Sequence, residues 1–199
     1  TGKHEAWLRR QVFDQAGTRM AFDAAFEAVL LTTERRDRLD VAIEQMAMNS
    51  SFTDVVVRLG CLRGISTLTG FGLASEIGNW DRFTGSTIGA YLGLVPTESS
   101  SGQTRSQGSI TKTGNGRVRR ILVEAAWAYR HYPKVTSRQR KMFASQPATI
   151  VDVCRKANLR LTRRFQRLEA RGKKAPVAMT AIARELAGFV WAVAKADTA

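Results

Sequence analysis

The sequence predicts an all-α protein, with a long helical arm followed by a compact helical domain that contains a helix-hairpin-helix and a long serine-rich loop. Apolar residues recur at intervals of three and four along most of the chain. No segment reads convincingly as part of a sheet, and the serine-rich segment is nearly devoid of aliphatic side chains. The 199 residues, 44% of them hydrophobic, suffice for one sizeable domain or two small ones.

The first part of the chain, residues 1–50, predicts a helical arm or coiled coil. A helix over residues 20–48 would be about 40 Å long at 1.5 Å per residue. Its apolar side chains follow a heptad-like seam, at Phe22, Phe26, Val29, Leu39, Ile43 and Met46. This seam favours a homo-oligomer formed through the arm. Thr33 and Arg36 interrupt the seam, so an ordinary core helix is the alternative.

Residues 51–199 predict the compact domain, and it opens with a helix-hairpin-helix over 55–78. Gly64 permits a tight turn after a short helix, Ser66 is suited to cap the next helix, and Gly78 is suited to end it. Backbone amides at the start of such a helix can hold a phosphate. A plain helical hairpin is the alternative interpretation.

The serine-rich loop covers residues 93–116 and follows a short predicted helix near 84–92. Its only aliphatic side chains are Leu94, Val95 and Ile110. An irregular segment of this length inside a compact domain is uncommon and usually functional or disordered. The basic helices of residues 117–199 follow, at 117–130, 149–170 and 177–194.

Positive charge is concentrated in one block of the sequence. The chain has 31 Lys and Arg against 17 Asp and Glu, and residues 101–174 hold 19 of the basic but only 3 of the acidic side chains. Arg dominates this block, and its guanidinium group is suited to bidentate contacts with phosphate. The pattern favours DNA or RNA as a partner over a small neutral substrate.

Two groups of basic residues are candidates for these contacts. The first surrounds the loop and the start of the next helix, where positive charge opposes the helix dipole. The second follows one face of a predicted helix, where like charges repel one another unless an anion binds. The candidate nucleic-acid-binding residues are Arg105, Lys112, Arg117, Arg119 and Arg120 in the first group and Arg160, Arg163, Arg164, Arg167 and Arg171 in the second.

Cysteine and histidine content indicates the compartment. Cys61 and Cys154 cannot form a disulfide scaffold, and with His4 and His131 they show no zinc-ligand spacing, so we expect no metal site. The most apolar stretch, 186–194, is well short of the roughly 20 residues that span a bilayer. No signal peptide is visible. A cytoplasmic location without membrane contact is therefore expected.

Three consecutive serines, Ser99 to Ser101, precede Gly102 in the loop. A serine hydroxyl that attacks phosphorus needs a base or a metal ion, and cations must hold the developing charge. The cations are present, but no base is evident, because His131 is distant in sequence and Glu98 would be an ordinary exposed carboxylate. On residue chemistry alone, a serine-rich linker is favoured over a nucleophile.

Several motifs resemble one known family in the family's own order. They are LRGISTLTGFGLASEIG (62–78), GLVPTESSSG (93–102), GSITKTGNGRVRRILVEAAWAYR (108–130) and AIARELAGFVWAV (181–193). Together they resemble the C-terminal half of the "one-ten" family of bacterial insertion-sequence transposases. The opening HEAWLRRQVFD (4–14) and the helical arm resemble the family's middle region.

The resemblance implies a DNA recombinase that works with a structured guide RNA. In this family a serine forms a covalent phosphoserine link to DNA, and that serine corresponds to Ser101 here, with Ser100 as the near alternative. The resemblance further implies that Arg105, Lys112, Arg117 and Arg120 hold the scissile phosphate.

The resemblance also implies a cofactor. The family binds Mg²⁺ through acidic residues of an N-terminal ribonuclease-H-like domain, and the acids of this chain show no clustered set to replace them. We therefore expect a fragment or truncated transposase that binds DNA and guide RNA, holds no cofactor itself and cuts little alone. The alternatives are a non-catalytic helical DNA- or RNA-binding module and a helical oligomerisation protein with an acidic partner chain.

Overall fold

A computed structural model describes residues 2–101 and 104–196, without the side chains of residues 100–106. Contacts divide the chain into two compact units, Thr1–Gln45 and Met46–Ala199. The helices of the described residues are α1 (Gly2–Leu8), α2 (Ala16–Met48), α3 (Thr53–Leu59), α4 (Thr67–Ile77), α5 (Ile88–Tyr91), α6 (Gly116–Ala126), α7 (Ser137–Ala144), α8 (Ala148–Ala170) and α9 (Ala175–Ala194), with 3-10 turns at Trp80–Arg82 and Trp127–Arg130. The mostly helical class is confirmed.

In the first unit, the long helix α2 is largely exposed. Phe13 packs on Phe22 with ring centroids 4.8 Å apart, and the guanidinium of Arg9 lies 5.4 Å from the ring of Phe26. These contacts cover the start of the predicted seam. Val29 and Leu39 are each more than half exposed. The seam beyond Phe26 therefore presents apolar side chains that the first unit does not bury.

The core of the second unit is built around α9. This helix contacts α3, α5, α6 and α8, and Ile182, Leu186 and Val190 on it are fully buried. By length and composition alone α9 could cross a membrane, but half of its most apolar window is buried inside the fold. Cys61 and Cys154 are free thiols within the same core.

The segment that joins α3 to α4 follows the sequence prediction in detail. Ser66 caps α4 by accepting a hydrogen bond from the backbone N–H of Thr69 at 3.1 Å, and Gly78 ends the helix at φ 63°. Gly64 has φ 82°, and a Cβ there would lie 2.3 Å from the carbonyl oxygen of Ala125. The turn is thus fixed against the end of α6. Its interpretation as a phosphate-binding helix-hairpin-helix stays a prediction.

The expectation of an irregular loop without strands is wrong for the middle of residues 93–116. Strands β1 (Pro96–Ser101) and β2 (Thr104–Ile110) pair antiparallel, with a bulge between Pro96 and Glu98. The strand residues 97–99 and 107–109 are all exposed, so neither face shows the alternation of apolar and polar residues by which a half-buried strand is recognised. Backbone pairing therefore joins the strands at these exposed positions, while Ile110 at the end of β2 packs against the core.

The helix α7 was not predicted, although its start carries a recognisable signal. Thr136 accepts from the backbone N–H of Gln139, and the Gln139 side chain accepts from the backbone N–H of Thr136. This is a capping box, which satisfies two otherwise unpaired amides at the start of a helix. The spacing of Thr136 and Gln139 in the sequence could have predicted it.

Candidate nucleic-acid interface

The three serines lie on β1, at the end of the strand that leads to the hairpin tip. In the backbone register Ser99 pairs with Ser106, Ser100 with Arg105, and Ser101 with Thr104. Ser101 is thus in the last described pair of the hairpin, and Arg105 lies on the opposite strand. Their side chains lie outside the described part of the chain, so the backbone alone places the predicted nucleophile.

The two ends of the hairpin meet at the hairpin base, formed by residues 91–95 and 111–115. Gly93 has φ 64°, and a Cβ there would lie 2.3 Å from the carbonyl oxygen of Thr113. Gly114 has φ 69°, and its Cβ would lie 1.8 Å from the carbonyl oxygen of Tyr91. Only glycine fits either position, because both conformation and space exclude a side chain.

The guanidinium of Arg119 braces the hairpin base. Its Nη1 donates to the carbonyl oxygens of Leu92 and Thr113, each at 2.9 Å. Leu92 precedes β1 and Thr113 follows β2, so one charged group on α6 ties both ends of the hairpin to that helix. Sequence reasoning placed Arg119 among the nucleic-acid contacts, whereas the structure shows it bonded to the protein backbone.

A second set of bonds fixes the start of α6. Asn115 caps the helix by accepting from the backbone N–H groups of Arg117 and Val118, each at 3.0 Å. Its amide donates to Oε2 of Glu76 on α4 at 2.9 Å, and Arg117 Nε lies 3.4 Å from Oε1 of the same carboxylate. Glu76 offsets part of the positive charge in the first turn of α6. Glu76 lies 39 positions before Asn115 in the chain, and no local sequence pattern predicts that its carboxylate belongs to this site.

Three predicted basic residues remain at the surface near the hairpin base. The Arg117 and Arg120 side chains are 70% and 75% exposed, and Arg120 lies 3.7 Å from Glu124. Lys112 is exposed and has φ 57°, while its backbone N–H donates to the carbonyl oxygen of Gly93. These cations are exposed enough to meet a phosphate beside the hairpin, although Arg117 and Arg120 also lie near the carboxylates of Glu76 and Glu124.

The predicted arginine stripe on α8 divides into two sets. Arg160 and Arg164 both contact Glu185 of α9, whose side chain is only 16% exposed, with Arg164 Nε 3.2 Å from Oε2. Arg163 and Arg167 make no such ion pair and line an open groove of about 950 Å³, which Arg160 also reaches. We call the set of Arg155, Lys156, Arg163 and Arg167 the basic face of α8; it contains no carboxylate. Arg171 is exposed at the C-terminal end of the helix.

Two groups with raised pKa values lie in the core and not on the hairpin, whose strand β1 carries the exposed carboxylate of Glu98. Burial raises the pKa of Tyr129, and a hydrogen bond to Cys61 together with burial raises the pKa of Cys154. Both groups lie in the core and stay protonated near neutral pH. Within the described residues no group of three or more His, Cys, Asp and Glu side chains could hold a metal ion.

The segment that contains the hairpin resembles a known family of proteins. Residues 58–141, from α3 through the hairpin and α6 into α7, match the model of the transposase IS116/IS110/IS902 family. Over this segment the chain is similar to that transposase family.

Two relatives support the same assignment along most of the chain. The chain is 38% identical over 196 residues to a Sinorhizobium fredii protein named as transposase y4qE, which covers 98% of this chain and 47% of the relative. It is 27% identical over 180 residues to the transposase for insertion sequence element IS1533 of Leptospira borgpetersenii, which covers 87% of this chain and 51% of the relative. The chain spans about half the length of these curated relatives.

The segment that matches the family model contains the hairpin, its base and the first group of predicted basic residues. Ser101, Arg105 and Lys112 lie within residues 58–141, whereas the second group on α8 lies beyond it. The family resemblance found from the motifs is therefore confirmed over the segment that contains the hairpin. The individual roles of these residues are proposals, developed next.

Proposed function

We propose that this chain is the serine-bearing, nucleic-acid-binding part of an insertion-sequence transposase that exchanges DNA strands. The observation that supports the proposal is the hairpin base. It anchors both ends of a serine-bearing hairpin beside exposed cations, within the segment that matches the transposase family. A flexible linker would not require the close packing of Gly93 and Gly114 against backbone carbonyl oxygens, nor the hydrogen bonds from the Arg119 guanidinium.

In the proposed step, the Ser101 hydroxyl attacks a DNA phosphodiester. A bond forms between Ser101 Oγ and phosphorus, and the bond between phosphorus and one deoxyribose oxygen breaks. The serine proton passes to a general base, and the leaving oxygen receives a proton. The number of phosphate ester bonds is unchanged, so the link can be reversed when another strand end attacks it. Ser100 is the alternative nucleophile.

Cations near the hairpin would stabilise the charge that develops on the phosphate oxygens. Arg117, Arg120 and Lys112 are exposed there, and Arg105 is on β2 opposite Ser100. Arg119 has a different part in this proposal, since its bonds to Leu92 and Thr113 position the hairpin. We assign it as a positioning residue.

The basic face of α8 would bind the nucleic-acid backbone away from the reacting phosphate. A groove lined by Arg163 and Arg167 without any carboxylate suits a strand of DNA or of a structured guide RNA. Arg171 would extend this contact at the end of the helix. Arg160 and Arg164 are partly neutralised by Glu185 and would contribute less to it.

The arm would join two copies of the chain. Val29 and Leu39 are exposed on α2, and pairing with another α2 would bury them. Light scattering at tens of micromolar tests this, since a dimer is expected for the wild-type chain and a monomer for Leu39→Glu. A monomeric mass for the wild-type chain would contradict the proposal.

Magnesium enters this proposal only through the family. No described group of acidic residues fits the ion, so no step here is assigned to a metal held by the described residues. We expect the chain to bind nucleic acid strongly and to cleave it little by itself. Efficient Mg²⁺-dependent cleavage by this chain alone would contradict that expectation.

Covalent capture tests the nucleophile. The chain is incubated with DNA carrying a labelled target junction, with and without a separately supplied metal-binding domain, and denaturant-resistant adducts are mapped by mass spectrometry. We expect an adduct on Ser101 that disappears in Ser101→Ala, with Ser99→Ala as the matched control. Ser101→Ala should retain DNA binding.

The outcomes separate the candidate functions. An adduct on Ser100 would move the nucleophile by one residue and leave the proposed reaction intact. Tight binding without an adduct under either condition would instead support a non-catalytic DNA- or RNA-binding module. A tenfold or greater loss of binding in Ser101→Ala would show that this serine supports the interface and is not a nucleophile.

A further inference from the structure

A cavity of about 650 Å³ lies in the second unit between the turn at residues 85–89 and the helices α8 and α9. Its volume falls within the range of about 300–1,000 Å³ typical of small-molecule and cofactor sites. The residues that line it and carry the argument are Ser86, Arg160, Arg164, Arg184, Glu185 and Trp191. None of its lining residues belongs to the hairpin, and it shares Arg160 with the groove beside α8.

The wall of this cavity carries excess positive charge. Three guanidiniums, from Arg160, Arg164 and Arg184, surround the single carboxylate of Glu185. Among the described residues Arg184 has no ion-pair partner and is exposed, so its guanidinium is open to an anion, whereas Arg164 Nε is paired with Oε2 of Glu185 at 3.2 Å. Three guanidiniums beside one carboxylate leave a local excess of positive charge that a bound phosphate would neutralise.

Glycines make room for these groups. A Cβ on Gly89 would lie 3.3 Å from Cγ of Arg184, so the bare backbone lets the arginine stem lie along the turn. A Cβ on Gly188 would lie 3.0 Å from the carbonyl oxygen of Gly85, so the turn and α9 approach closely at that point. The turn therefore forms the floor of the cavity.

The remaining wall is aromatic. Phe189 and Trp191 line the cavity and are half-buried. The indole N–H of Trp191 donates to the carbonyl oxygen of Trp80 at 3.2 Å, which fixes the orientation of the ring. Guanidiniums and an aromatic ring in one cavity match the two parts of a nucleotide, an anionic phosphate and a flat base.

We propose that this cavity binds one unstacked nucleotide of a nucleic-acid strand. Arg184 bonds its phosphate together with the free donors of Arg160 and Arg164, and its base lies against the ring of Trp191. Glu185 holds the two α8 arginines in place. The identification of the ligand as part of a strand, and not a free nucleotide, rests on the proposed function.

Photocrosslinking tests the site. The probes are single-stranded RNA and DNA of about 15 nucleotides, near the upper end of known single-strand site sizes, with one 4-thiouridine or 4-thiothymidine. Crosslinks to the wild-type chain are expected on the peptide that contains Phe189 and Trp191. Arg184→Ala should lower affinity about tenfold, the effect of losing one charge-assisted hydrogen bond, and should remove this crosslink.

Two further variants sharpen the test. Arg163→Ala on the basic face of α8 is the matched control, and it should weaken binding without moving the crosslink. Ala181→Glu puts a carboxylate into the cavity wall and should act like Arg184→Ala; because two variants test the site, misfolding of one, seen by circular dichroism, leaves the other to decide. A crosslink with RNA alone, DNA alone or both supports the site and identifies the strand.

The failures are distinguishable. If the wild-type chain binds these probes but crosslinks elsewhere, and Arg184→Ala binds as tightly as wild type, the cavity is not a nucleotide site and the proposed function stands. If the wild-type chain binds neither these probes nor duplex DNA at low salt, the proposed function fails and the cavity proposal fails with it.

Discussion

The hairpin base and the basic face of α8 use arginine in opposite ways. At the hairpin base, the half-buried Arg119 donates hydrogen bonds to the carbonyl oxygens of Leu92 and Thr113. On the basic face, Arg163 and Arg167 point into an open groove and are exposed. Net positive charge thus identifies a surface for a polyanion. Which of its arginines can bind that polyanion depends on whether their guanidiniums already donate to backbone carbonyl oxygens.

The largest loss of stability is expected when a side chain is introduced at the hairpin base. Gly114→Ala should destabilise the chain by more than about 3 kcal/mol, since the new Cβ would overlap the carbonyl oxygen of Tyr91 and the backbone has φ 69°. Urea unfolding measures the loss. Gly172→Ala is the control, because Gly172 has φ 72° but open space around its Cβ position. Equal losses of unfolding free energy in Gly114→Ala and Gly172→Ala would show that the positive φ, and not the overlap with Tyr91, causes the effect.

Removal of the brace should have the next largest effect. Arg119→Ala should cost about 2 kcal/mol of unfolding free energy, because two backbone carbonyls lose a charged donor. Arg120→Ala, one residue away and exposed, should change stability by less than about 0.5 kcal/mol. Thermal melts of both variants make the comparison. A larger loss of stability in Arg120→Ala than in Arg119→Ala would show that Arg119 is not the residue that stabilises the hairpin base.

The cap of α6 should contribute less. Asn115→Ala should cost about 1 kcal/mol, since the backbone N–H groups of Arg117 and Val118 lose their acceptor. Asn115→Ser retains a capping oxygen and loses only the bond to Glu76, so it should recover much of the loss. If the serine variant is as unstable as the alanine variant, the contact with Glu76 matters more than the cap.

On the basic face of α8 we expect almost no effect on stability. The double variant Arg163→Ala, Arg167→Ala should change the unfolding free energy by less than about 0.5 kcal/mol. Its affinity for DNA should fall, and the slope of log affinity against log salt should shrink by about 2, one for each phosphate contact. Fluorescence anisotropy over a salt series measures the slope. An unchanged slope would exclude this face from phosphate contact.

Much of the helical fold could be predicted from the sequence, because helical periodicity and caps are local signals. Ser66 and Gly78 mark the two ends of α4 as expected. Most of the apolar positions predicted to face inward on α8 and α9 are buried, whereas Val153, Leu168 and Phe189 are half-buried. The capping box at Thr136 is a local signal of the same kind and could have identified α7.

The hairpin and the division of the arginines could not be predicted in this way. Exposed strands such as β1 and β2 carry no alternation of apolar residues, so composition alone resembled a loop. The bond from Arg119 to Leu92 joins residues 27 positions apart, and Arg160 meets Glu185 from 25 positions away. Contacts of this range depend on how helices pack, which periodicity does not encode.

The hairpin base has a consequence for how this protein can be altered. Gly93, Gly114 and Arg119 fix both ends of the hairpin, so its base anchors the strands to the helical domain. Residues 97–99 and 107–109 are exposed, so they can be exchanged with those of a related hairpin while the helical domain keeps its core. The hairpin is thus a module that can be grafted between relatives, with its glycines and brace as the fixed junction.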